Sequence, residues 1–168
     1  MSDDIKVLID IPRVHGANQG GKVAVNWTAS SNDLNTPRNI DYYSVWRAVD
    51  VLPIGAQLMS IDDAHKPGAK LGRNIYLSSP GYYFEQVGRQ DAHGWSGYSF
   101  SADTRADSVA GATNNEVFMV AAHYTLDGFI AFASNTMGGH SVDNIAPPAP
   151  LSFFWAITCS SSCPAPSM

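Results

Sequence analysis

The chain has 168 residues, a formal net charge of −5 and 15% charged residues, well under the roughly 25% of an ordinary soluble domain. Thirteen aspartates stand against two glutamates (Glu85 and Glu116), and glycine (14) and proline (10) are plentiful. Turn formers in place of helix-surface residues argue against a helical bundle or coiled coil. The acidic balance argues against a basic nucleic-acid binder, and 45% hydrophobic residues argue against disorder. The length suits one domain with a core that folds without disulfide staples, and the composition predicts an all-β fold with long loops.

Met1-Ser2-Asp3-Asp4 lacks the positive and apolar regions of a secretory leader. No run of about 18 apolar residues exists, so no membrane span is expected. Ile5–Ile11 is a β-branched run ending at Pro12 and reads as a first strand. After the Gln19-Gly20-Gly21 turn, Lys22–Ala29 alternates, with Val23, Val25 and Trp27 on one face of a half-buried strand. A polar loop, 30–39, precedes a third strand over Asp41–Val49, with Tyr43 and Val45 on one face and Trp46 on the other. Residues 50–80 are punctuated by Pro53, Gly55, Pro67, Gly68, Gly72 and Pro80 and read as a long insertion, with a short helix over 56–64.

Strands are then expected at Tyr82–Gly88 and Gly97–Ala102. Glu116–Tyr124 is apolar enough to be buried on both faces. Leu126-Asp127-Gly128 turns it into a partner strand, Phe129–Ser134. A Gly-rich loop, 135–143, leads to the proline-stiffened 145–150. Residues 1–150 thus read as one domain. Residues 151–168 read as a Pro/Ser-rich tail in which Leu151–Ile157 has the composition of an added edge strand, on its own sheet or on that of a second copy, so that an oligomer could form there. No period of 20 to 50 residues recurs. Seven or so short strands with polar turns predict an antiparallel β-sandwich.

Val23-x-Val25-x-Trp27, Ile40-x-x-Tyr43-x-Val45-x-Arg47 and Phe118-x-Val120-x-Ala122 resemble the B, C and F strands of fibronectin type III domains. The divergent form found in large bacterial surface and secreted proteins is the nearest likeness. It carries counterparts of Gln19-Gly20-Gly21, Tyr43-Ser44-Val45-Trp46-Arg47 and Ser141-Val142-Asp143-Asn144-Ile145-Ala146-Pro147. The resemblance spans roughly residues 10–150 and implies an immunoglobulin/fibronectin III-like sandwich with the 50–80 insertion. It also implies an extracellular or cell-surface setting in a bacterium, and a non-catalytic binding or spacer role toward other domains or a surface ligand. Two positions depart from the pattern: Phe118 stands where the family usually has Tyr, and the insertion exceeds that of a standard module.

Four sets of residues carry candidate chemistry. Asp10, Asp33, Asp41, Asp143 and Asn144 are loop or strand-end oxygens of the kind that Ca²⁺ gathers in sets of six to eight, although the same residue types serve as turn formers and caps. Gly139-His140-Ser141-Val142-Asp143 resembles in part the Gly-His-Ser-x-Gly elbow of esterases and lipases. In that alternative, a small hydrolase of ester or lactone bonds, Ser141 is the nucleophile, His123 the base and Asp143 the orienter, or calcium activates a water. Asp143 replaces the last glycine of that motif, and no strand-to-helix turn is expected there. Trp95, Trp46 and Tyr98 form the candidate aromatic binding face, with Trp95 in a loop and least easily assigned to a core. Glu85 and Glu116 are the only pair available for glycoside chemistry. The five histidines show no metal-ligand spacing, and Cys159 and Cys163 fall short of a metal site.

Overall fold

The structure, a computed structural model, describes residues 7–10, 20–34, 39–72, 74–108, 112–124 and 129–142. In chain order its elements are β1 (Val7–Asp10), β2 (Lys22–Thr28), α1 (Ser31–Leu34), β3 (Ile40–Val49), β4 (Gln57–Ser60), α2 (Ile61–Ala64) and β5 (Ile75–Ser79). There follow β6 (Tyr82–Asp91), β7 (Gly97–Asp103), β8 (Asp107–Ser108), β9 (Glu116–Tyr124), β10 (Ile130–Ala133), β11 (Met137–Gly139) and β12 (Ser141–Val142). The fold is all-β, and both helices are single turns.

Alternation decides the first pairing. Val23, Val25 and Trp27 of β2 are buried while Lys22 and Thr28 are exposed. β2 lies antiparallel between β1, with Val7 opposite Trp27, and β7, with Trp27 opposite Tyr98. The second sheet runs β10-β9-β3-β6-β5-β4, with β11 also on β9. Its neighbours are antiparallel except for β4 on β5. A short parallel pair, β8 with β12, stands apart.

One buried cluster draws on both large sheets. Val23, Val25, Trp27, Tyr98 and Ala102 come from the three-stranded sheet, and Ile40, Tyr43, Val45, Phe118, Val120 and Ala122 from the other. The facing sheet approaches closely at Gly88 of β6. A Cβ there would meet the Phe100 ring at 2.1 Å, so this strand position needs glycine to let the ring through. The strand bulges beside it: Val45 pairs with Gly88 and Trp46 with Gln86, which leaves Val87 of β6 as the extra residue.

The opposite face of the larger sheet is apolar as well. Trp46 and Ala48 of β3, Met119 and Ala121 of β9, Phe84, Leu77, Ile130 and Ala64 form a second cluster, with Met59, Ile61 and Leu71 packed against it. β9 is therefore buried on both faces, as its unbroken apolar run predicts. The expected helix over 56–64 divides instead: 57–60 pairs with β5 as a strand, and only 61–64 turns helically, with Ser60 Oγ accepting from the Asp63 amide at 3.0 Å. The insertion thereby widens the sheet and covers its second face. The expected loop 135–143 contributes β11 and β12. The turn at 126–128 and the tail 151–168 lie outside the described residues.

Candidate functional site

α1 and the loop 92–96 meet at one end of the β3–β6–β7 region. Ser30 starts α1, its Oγ accepting from the Asn32 amide at 3.2 Å and its carbonyl from the Asp33 amide at 3.0 Å. Asp33 is thereby turned inward and is 0% exposed. Its Oδ2 accepts from the Tyr43 hydroxyl at 3.1 Å and the Tyr98 hydroxyl at 2.5 Å, and its Oδ1 from the Gly94 amide at 2.9 Å. Tyr43 Oη in turn accepts from the Ser30 amide at 3.0 Å. Tyr98 Oη accepts from the amides of His93 at 2.7 Å and Trp95 at 3.3 Å. Burial pushes the Tyr43 phenol well above its ordinary range, against the opposing pull of the Ser30 amide. Burial and the Asp33 hydrogen bond push Tyr98 up too. Both phenols therefore stay protonated at neutral pH and donate to Asp33.

This polar hub fixes an aromatic stack. The Trp27 and Tyr98 rings lie 5.7 Å apart at 18°, and Trp95 also stacks on Tyr98 at 5.6 Å and 29°. His93 tilts against Trp95 at 4.7 Å. Trp95 is 57% exposed, so the stack begins in the core and ends in solvent. Of the three aromatic candidates, Trp95 alone presents a face. Tyr98 is buried beneath it and positions it. Trp46 is 0% exposed, which corrects its candidacy: the insertion covers the face on which it stands.

Asp33 is likewise corrected as a calcium ligand, because both carboxylate oxygens are already engaged by protein donors. Asp41 is exposed on β3, 3.7 Å from Arg89, and does not join Asp33. Among the described residues no three His, Cys, Asp or Glu side chains are grouped to hold a metal ion. Asp143, Asn144 and the side chain of Asp10 lie outside what is described.

The serine-hydrolase constellation does not assemble. Gly139 pairs with Glu116 at one end of β9, two residues before Ser141, whereas His123 sits seven residues along that strand. At about 3.3 Å per residue the two are separated by about 23 Å along β9. His123 Nε2 instead lies 2.6 Å from Ser44 Oγ, which accepts from Trp46 Nε1 at 2.6 Å. Ser44 and His123 are each 1% exposed, so this pair ties β3 to β9 out of reach of a substrate. Ser141 Oγ bonds to Asp107 and lies 2.6 Å from Thr104 Oγ1.

Glu85 and Glu116 both converge on Arg47. Arg47 Nη2 lies 2.5 Å from Glu85 Oε1, and Nη1 lies 3.7 Å from Glu116 Oε2. Arg105 holds the other oxygen of Glu116 through Nε at 3.1 Å and its backbone amide at 2.7 Å. The only two glutamates are thus ion-paired rather than set across an open cleft.

Compared with known proteins, the chain matches no family model, no curated protein and no solved structure. Asp107 accepts from the Gly21 amide at 2.5 Å and from Ser141, so Gly21 and Ser141 meet on one carboxylate. A Cβ on Gly20, whose φ is +68°, would lie 2.3 Å from that carboxylate. The Gly21 amide and then the Ser141 hydroxyl hold the Asp107 carboxyl below its usual range. Sequence reading missed Asp107 and the Asp33 hub for the same reason: each is an acid in a polar segment whose donors come from distant parts of the chain.

Proposed function

We propose that this chain is a non-catalytic binding module on a fibronectin III-like β-sandwich, and that it contacts its ligand through the loop 92–96. Strand order supports the architecture. In immunoglobulin-type sandwiches the first, second and fifth framework strands share one sheet, and the third, sixth and seventh share the other, with an additional strand beside the third in some forms. Here β1, β2 and β7 take the first set of places, β3, β9 and β10/β11 the second, and β6 the additional one. The β4–α2–β5 insertion falls between β3 and β6. The residues resembling the B, C and F strands lie on β2, β3 and β9 and meet in one core. The same likeness is the ground on which we propose a bacterial extracellular or cell-surface setting.

The observation that carries the binding role is the exposed Trp95 ring held on a buried support. Surface tryptophans that retain one orientation lose little entropy on contact, which suits an anchor residue. The test compares wild type with Trp95→Ala on immobilised bacterial cell walls, collagen, fibrinogen and glycans. Wild type is expected to be retained on at least one surface and the variant to lose about tenfold, equivalent to roughly 1.4 kcal/mol. Binding that Trp95→Ala leaves unchanged overturns the assignment. Hydrolysis of a chromogenic ester that Ser141→Ala abolishes overturns the non-catalytic reading.

A further inference from the structure

We infer that the ligand face at Trp95 takes a neutral saccharide, with a sugar ring stacked on the indole and its hydroxyls bonded to His93 and Ser96. This rests on the binding role proposed above and narrows its chemistry.

The charge of the site selects against ions. Residues 92–96 are Ala-His-Gly-Trp-Ser and contain no Lys, Arg, Asp or Glu, so an anionic ligand finds no fixed countercharge in the loop. A cation would gain from the indole face, but the neighbouring carboxylates are engaged. Asp33 is closed by Tyr43, Tyr98 and the Gly94 amide. Asp91 lies 3.3 Å from Arg89 Nε.

The surroundings of Trp95 also fit a small ring better than a broad protein face. Protein interfaces of standard size bury about 800 Å² per partner around an apolar centre. Here the aromatic stands beside His93, Gly94, Ser96 and Gly97, all exposed and small or polar. Among the described residues the His93 imidazole and the Ser96 hydroxyl make no hydrogen bond of their own, and the His93 ring packs against the Trp95 ring. An apolar plate with unengaged donors and acceptors at its rim matches a pyranose, which has a C–H face and a ring of hydroxyls.

The support beneath the plate is rigid. The amides of His93, Gly94 and Trp95 are all bonded to Tyr98 or Asp33, so the loop backbone is held before a ligand arrives, and the indole rests on the Tyr98 ring and against His93. One platform with two rim contacts gives weak binding, ~1 mM for a single site.

The experiment titrates the 15N-labelled chain with cellohexaose, xylohexaose, chitohexaose and maltohexaose, each to about 10 mM, which saturates a ~1 mM site. The expected result is saturable movement of the Trp95 indole N–H and the Gly94 and Ser96 amides with at least one sugar, while β4 and β5 stay still. Trp95→Ala should abolish the movement. His93→Ala, which leaves the platform in place, should weaken it severalfold. No movement with any of the four overturns the saccharide assignment. If Trp95-dependent retention on collagen or fibrinogen persists in that case, only the ligand class fails. If Trp95→Ala retains wild-type binding to every surface, the binding role of the loop fails with it.

Discussion

Replacing Asp33 by alanine removes one carboxyl and strands three donors at once: the Tyr43 and Tyr98 hydroxyls and the Gly94 amide. Both phenols are buried or nearly so, with Tyr43 0% and Tyr98 6% exposed, so water does not readily replace the lost acceptor. A buried donor left without a partner costs about 1–3 kcal/mol. Losses within one network are less than additive, because the tyrosines can turn toward each other at a ring separation of 4.9 Å. The expected loss is about 3–5 kcal/mol, a large share of the roughly 5–15 kcal/mol that holds a domain folded. With a urea slope near 2 kcal/mol/M, the midpoint should fall by about 2 M. Asp33→Asn keeps one acceptor oxygen and should lose about half as much. The same substitutions free the loop, so collisional quenching of Trp95 fluorescence should rise in both and more strongly in Asp33→Ala. A midpoint for Asp33→Ala within 0.5 M of wild type, about 1 kcal/mol at that slope, would refute the claim that the hub supports the Trp95 loop.

Gly88→Ala should destabilise by about 1–3 kcal/mol through overpacking against Phe100. Phe100→Leu in the same chain should restore part of that loss, measured by thermal melts; a double variant no better than the single one would locate the strain elsewhere. Stability should be flat from neutral pH to about 10 and fall above it. Tyr43 and Tyr98 have folded pKa values raised above the ordinary 10.0, so the unfolded chain sheds its protons first and gains on the fold as pH rises. Tyr43→Phe should shallow that alkaline slope, and an unchanged slope would remove Tyr43 from the explanation. At the acid end, Asp107 is depressed by the Gly21 amide and Ser141. Its contribution is present above the unfolded carboxyl value of 3.8 and is lost as pH falls through the lower folded value. The Gly21 amide resonance should report that titration, with its midpoint moved up toward 3.8 in Ser141→Ala.

Several features were legible because they depend on neighbours in the chain. The period-two pattern of Val23, Val25 and Trp27 fixes which face of β2 is buried, wherever its partners come from. The alternation of Tyr43, Val45 and Trp46 likewise placed Trp46 opposite the first core. It could not show that 57–64 folds across that second face. Packing there is set by residues ten to twenty positions away, and their punctuation by Gly and Pro reads only as a loop.

The sequence alone determined an all-β chain, the positions of its longer strands and an exposed loop tryptophan, since composition and local periodicity act over a few residues. Tertiary structure decided the chemistry of the polar groups. An aspartate in a Ser/Asn/Asp loop is locally the same whether it gathers calcium or caps a core. Asp33 became an internal acceptor because Tyr43 and Tyr98, 10 and 65 residues away, bring their hydroxyls to it. Ser141 and His123 separated for the converse reason: pairing between distant strands put Gly139, two residues before Ser141, beside Glu116 at the start of β9 and left His123 near its other end.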